Sequence, residues 1–231
     1  MTYRLFAGAL YAGLAAGLVA AVLQFVFVIP LLVEGELFET GMRVHFQDGS
    51  VQSPAGSGGL EFDLVRHGLT VGMAIVSYTA FALLMSASMA IAARRGEVIT
   101  PRRGAVWGLA GFAAIALSPA AGLPPELPGT IGAELVARQV WWVAAMLFSV
   151  AGIALIAFAR GPHAWALALA GLGLLLLPHL YGAPMIDRYY GISPPELSAL
   201  FATRSLAVTA VAWVVMGAVA AHFRADHRPA G

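Results

Sequence analysis

The 231-residue chain contains no cysteine, no lysine and little charge of either sign. Without cysteine there are no disulfides, thiolate zinc sites, iron–sulfur clusters or cysteine nucleophiles. Without lysine there is no P-loop lysine and no Schiff-base lysine; all 13 cations are arginine. Charged residues make up 11% of the chain, against about 25% in a soluble domain. That is too little to clothe a water-facing surface, so lipid must cover a chain that is 60% hydrophobic. HExxH, GxSxG and GxxxxGK[ST] are all missing. The chain is therefore not itself the motor of an ATP-driven pump, and no catalytic constellation marks it as an enzyme. The basic residues form no nucleic-acid footprint.

What is present is a set of long apolar runs. A spanning helix needs about 20 mostly apolar residues. Runs at 5–33, 68–93, 104–121, 139–159, 164–181 and 200–222 predict about six transmembrane helices. The expected fold is an all-α polytopic membrane protein, a single transmembrane domain over 1–231 with a long outer loop at 34–67. The first run is too long for the apolar segment of a cleaved signal peptide and reads as a retained anchor.

Arginine placement sets the direction. With the N-terminus inside, eight arginines lie inside and five outside, and the cluster "ARRGEVITPRRG" at 93–104 is the strongest single vote. Both termini are then cytoplasmic. Ten acids fall outside and two, Glu97 and Asp226, inside. Polar caps on spans account for such a split, and so does an acidic face that gathers cations by its field.

Two copies of PPEL, at 124–127 and 194–197, sit at outer ends of spans. Proline lacks an N–H and disfavours helix at the residue before it, so each pair stiffens the turn and holds Glu126 and Glu196 on rigid backbone. The outer ends of spans one, three and five read "VIPLLVEGELFE", "LSPAAGLPPELPG" and "LPHLYGAPMIDRYYGISPPEL". Each carries a proline (Pro30, Pro119, Pro178) followed by acids. The following spans open "DLVRH", "ELVAR" and "ELSALFATR". Three repeated helical hairpins with acidic outer elbows are therefore expected, and parallel repeats in transporters place binding sites at the repeat interface. Gly13 with Gly17 and Gly104 with Gly108 form GxxxG pairs that let helices approach closely. Trp107 and Trp165 at inner ends, with Trp141, Trp142, Tyr189 and Tyr190 at outer ends, suit interfacial belts.

Several side chains are candidate ligands. Asp63 and His67 lie at i, i+4, one face of a helix, where carboxylate and imidazole could hold a divalent cation; the plainer reading is a polar entry turn. His179 in "LLLLPHLYGAP" sits just inside an apolar segment, where ionisable residues are rare and usually face the bundle interior. It reads as a ligand or proton relay, or as a histidine bonded to a carbonyl. Glu126, His179 and Glu196 are expected to converge at the outer mouth, with Glu36 and Glu39 nearby. Gln24 suits an interhelical hydrogen bond. Glu134 and Arg138, at i, i+4, read most simply as a helix salt bridge. His45, in "RVHFQDGSV", fits a short hairpin turning at Asp48-Gly49. His163, His222 and His227 look incidental.

"LSPAAGLPPELPGTIGAELVARQVWW" followed by "LLLLPHLYGAP" strongly resembles the CbtA family, proposed cobalt transporter subunits of bacteria. The opening "LFAGALYAGLAAGLVAAVLQFVFVIPLLVEGELFE" is similar to that family's first span. The resemblance covers most of the chain. It implies an inner-membrane permease for cobalt tied to cobalamin supply, often paired with a small single-span partner bearing a histidine-rich tail. The first outer loop departs from a metal-loading loop: it holds only His45 and His67, which leaves metal capture to a partner. Imidazole and carboxylate suit divalent cobalt or nickel, and the ligand types do not choose between them. Cobalt or nickel is thus the expected cargo, with no permanently bound cofactor. A metal permease, or permease subunit, is the leading function. A non-transporting scaffold beside a true permease is the alternative, an intramembrane enzyme ranks last, and a homo-oligomer is compatible with each.

Overall fold

The computed structural model describes residues 2–45, 63–187 and 191–225. The expected turn at Asp48-Gly49, the loop at 53–59, Glu61, Arg188, Tyr189, Tyr190, Asp226, His227 and Arg228 lie outside the described residues. Helices α1 (Thr2–Phe27), α2 (Ile29–Glu39), α3 (Leu64–Arg94), α4 (Pro101–Phe112), α5 (Ser118–Ala120), α6 (Leu135–Ala157), α7 (Ala164–Tyr181) and α8 (Pro195–Ala225) follow in order, with a π-helical segment, Ala113–Leu117, between α4 and α5. No strand occurs among the described residues. Five helices there are long and apolar enough to cross a membrane.

Prolines account for two departures from the expected spans. The first run does not continue as one helix to Val33. Pro30 has no N–H to bond the carbonyl of Val26, and its ring presses on that carbonyl, so α1 stops at Phe27. A new helix starts at Ile29 with Pro30 in its first turn, where the missing N–H costs nothing. The expected loop at 34–67 is correspondingly shorter, because α2 continues to Glu39 and α3 begins at Leu64. The expected third span is helical from 101 to 120 but is not one α-helix. Pro119 removes a bond to Ile115, and the turn before it widens into the π segment.

The chain divides into two compact units. One comprises 1–27, 61–112 and 207–231, so it holds α1, α3, α4 and the second part of α8. Lipid tails are as apolar as leucine, so its helices associate through close packing of small residues. A Cβ on Gly13 would lie 2.3 Å from the Thr79 backbone, and one on Gly17 would lie 2.6 Å from that of Ile75. Gly104 and Gly108 meet Gly217 and Trp213 as closely. Both GxxxG pairs therefore mark real contacts, α1 on α3 and α4 on α8. Ala9, Ala12, Ala16, Met89, Trp213 and Met216 fill the core. Gly108→Ala, with its Cβ 2.2 Å from the Trp213 carbonyl oxygen, should lower the thermal midpoint in detergent. Overpacking of this kind costs about 1–3 kcal/mol. Gly72→Ala, where a Cβ meets nothing within 4 Å, should cause no loss.

The other unit comprises 28–60 and 113–206, and so holds α2, the π segment, α5, α6, α7 and the start of α8. Helices α6 and α7 meet at Gly152 and Gly171, where a Cβ on either would lie 2.6 Å from the other's carbonyl oxygen. Five of the seven candidate ligands, Glu36, Glu39, Glu126, His179 and Glu196, belong to this unit, and Asp63 and His67 belong to the first.

Candidate functional site

The first PPEL stretch is not helical. Its leucine is the anchor. Leu127 is 3% exposed and packs on Gly35 of α2, whose missing side chain leaves room for it. Gly129, at φ +76°, turns the chain under Ile192 and Glu39. Glu126 is thereby held beside Arg138 of α6, and the two form an ion pair. Arg138 in turn lies over Gly132, where any side chain would strike the guanidinium. Its far side lines an open depression of about 570 Å³ with Leu123, Leu135, Gln139, Trp142 and Val143.

This pairing replaces the salt bridge expected between Glu134 and Arg138. Glu134 instead caps α6: Oε1 accepts from the Val136 N–H at 2.9 Å and Oε2 from that of Ala137 at 2.7 Å. Those two bonds, Val136 first, hold its carboxyl below the ordinary glutamate value. The cap is in force above the ordinary carboxylate range and is lost as pH falls through the lowered value.

His179 occupies the last turn of α7, after the intrahelical Pro178. Its Nε2 lies 3.1 Å from the Ser118 hydroxyl, and Ser149 donates to Ser118 at 2.6 Å. Ser149 is fully buried, so this hydrogen bond offsets what would otherwise be a costly desolvated hydroxyl. With the imidazole proton on Nε2, the Ser118 hydroxyl accepts from both Ser149 and His179, and Nδ1 keeps its lone pair. Trp141 covers the histidine edge-on, with centroids 5.9 Å apart, and donates Nε1–H to the Pro178 carbonyl at 3.2 Å. Trp141 is therefore not a belt residue: it is 5% exposed, while its neighbour Trp142 faces outward. Gly122 leaves space for the Trp141 ring. The π segment sets the register that brings Ser118 to this point.

The other candidates have separate settings. Glu196 is exposed in the first turn of α8, behind Pro195, where an acid favours the helix dipole. Glu36 and Glu39 belong to α2 rather than to a loop. In the first unit Asp63 is the N-cap of α3, accepting from the N–H groups of Val65 and Arg66. His67 meets the Phe25 ring edge-on at 5.0 Å. Among the described residues no three histidine, aspartate or glutamate side chains gather into a metal-holding group.

One acid was not singled out from the sequence. Glu34 of α2 is buried and paired with Arg43. The helix ends at Thr40, Gly41 turns left-handed at φ +74°, and the Arg43 N–H bonds back to the Leu37 carbonyl at 3.0 Å. That return brings Arg43 to Glu34. The signal in the sequence was an arginine two residues after a glycine that stops an acidic helix.

A family model described as "Probable cobalt transporter subunit (CbtA)" matches residues 2–225. The chain belongs to the CbtA family. No curated protein and no solved structure matches it. CbtA membership fits the membrane-length helices and gives the chain a transport-related role, as a subunit with partners. The residues that carried the resemblance now have places: within "GLPPELPG" Leu127 anchors and Glu126 pairs, and within "ARQVWW" Arg138 receives Glu126 and Trp141 covers His179.

Proposed function

We propose that this CbtA-family chain is the membrane permease, or the permease subunit, for a divalent metal cation, cobalt before nickel, serving cobalamin synthesis in the inner membrane. The observation that carries the reading is the Ser149–Ser118–His179 chain inside apolar helices. An imidazole so placed is a borderline ligand suited to divalent cobalt: with Nε2–H donated to Ser118, Nδ1 is the nitrogen that offers its lone pair to the ion. The helical stretch at 101–120 serves as a sixth span, and both termini are cytoplasmic, as the arginine distribution favours. The acidic elbows then face outward as three hairpin turns. Glu126 collects the ion at the surface, with Glu36, Glu39 and Glu196 contributing negative groups along the approach, and Asp63 and His67 at the start of α3 are a separate carboxylate–imidazole candidate. His179 receives it as water is shed. A small histidine-rich single-span partner supplies metal from outside.

Radiolabelled cobalt uptake tests this reading in cells expressing the chain alone and then with that partner. Uptake that requires this chain, and that responds to the partner, supports a permease. Uptake that another permease sustains unchanged when this chain is removed would make it a scaffold.

A further inference from the structure

Glu34 has a feature that its salt bridge does not explain. Its side chain is 4% exposed, and Oε1 takes the Arg43 guanidinium. Oε2 is buried and has no hydrogen-bond partner among the described residues. An ionised carboxylate accepts at about four lone-pair positions, and a buried acceptor left unmade is costly. A fold that only needed to tie α2 to its return turn would be better served by an apolar contact or a two-pronged arginine. The half-used carboxylate instead leaves ligand capacity inside the protein, next to a cation tethered nine residues along the chain.

We infer that Glu34 is a cation-binding carboxylate on the transport route and that Arg43 is its resident, displaceable counter-ion. A divalent cation brings two charges to Oε1 and Oε2, where the guanidinium brings one charge to one oxygen. Arg43 sits just past Gly41 with its N–H held by the Leu37 carbonyl, and its side chain is 22% exposed, so the guanidinium has water to move into while the backbone stays in place. When the ion leaves, Arg43 returns and the carboxylate is never left uncompensated. The pair thus keeps the buried carboxylate partnered between arrivals. This inference rests on the transport reading for its purpose, but not for its test.

The test is cobalt binding by the purified full-length chain in detergent, run beside uptake in cells. Arg43→Gln removes the competitor and should tighten cobalt binding about tenfold, because a lone buried carboxylate needs a cation. Glu34→Gln should weaken binding about tenfold or more. A structural salt bridge gives the other pattern: both variants lose thermal stability alike, and neither tightens binding. That result would overturn the inference, even if Glu34→Gln misfolds, because Arg43→Gln alone decides the sign. No cobalt binding by the wild-type chain would overturn it as well. Binding that follows the expected signs without any uptake would sustain Glu34 as a cation site with Arg43 as its counter-ion, and would sink its place on a transport route together with the permease. Normal uptake with binding indifferent to both variants would do the reverse.

Discussion

His179→Ala should cut cobalt uptake about tenfold or more, and adding cobalt should not restore it. The reason lies in where the imidazole sits. Nε2 is engaged by Ser118, which is engaged by the buried Ser149, and Trp141 closes the edge of the ring. The ring is therefore fixed in orientation before any ion arrives, and a fixed ligand loses little entropy on binding. Groups that orient or supply a ligand in metal sites typically account for about 10- to 100-fold in affinity or activity. A step inside the protein is not rescued by mass action at its entrance, so the maximal rate falls. Alanine also leaves Ser118 without its partner and opens a void beside Trp141, so lower uptake alone would not separate transport from packing. His179→Gln makes the separation. Its amide can still bond Ser118 and fills much of the same space, but an amide is a poor ligand for cobalt and does not carry protons. Gln matching Ala, at equal amounts of protein in the membrane, makes the histidine part of the ion's path. Gln restoring uptake makes it a structural side chain, and the transport reading would lose the observation that carries it.

Why some of this was legible in the sequence and some was not follows from the range of the interactions. Apolar runs of about 20 residues are a local signal, and α3, α6, α7 and α8 lie where hydropathy put them. Hydropathy does not register a missing N–H, so the first run passed straight over the break that Pro30 makes after Phe27. The two GxxxG pairs were local as well, and each does hold a close helix contact. Glu134 and Arg138 satisfied the spacing rule for a helix pair, but Glu134 precedes the first helical residue. A capping side chain bends back to the backbone and is not free to reach forward. Arg138 then turned to Glu126, twelve residues away across a loop. Trp141 and Trp142 are adjacent, yet successive helical residues point about 100° apart, so only packing decides which is buried. Ser118 lies 61 residues from His179 and 31 from Ser149, separations that no periodicity could join. Glu34 stood among three acids in "EGELFE", and nothing local distinguishes the buried one.

Glu126→Gln should raise the cobalt concentration needed for half-maximal uptake severalfold and leave the maximal rate nearly unchanged. Gln keeps the shape of the side chain and still accepts from Arg138, so Leu127 should stay in its place over Gly35 and the elbow should keep its form. What disappears is one negative charge at a partly exposed position: the Glu126 and Arg138 side chains are 30% and 25% exposed. Ion pairs exposed to this degree contribute about 0.2–1 kcal/mol, because water and salt screen them. That is weak enough for a divalent ion to compete with the guanidinium, and it also bounds the expected effect. A loss of 1 kcal/mol is about a fivefold change in an apparent constant. The field of a single charge reaches over roughly a Debye length, about 8 Å in physiological salt. The difference between Glu126→Gln and wild type should therefore shrink as ionic strength rises. Arg138→Gln should act in the opposite sense, releasing Glu126 and lowering the half-maximal concentration. If Glu126→Gln takes up cobalt normally at limiting metal and at low salt, the glutamate only ties a turn to α6. Architecture would then account for the whole elbow: prolines to stiffen it, Leu127 to seat it and Arg138 to close it.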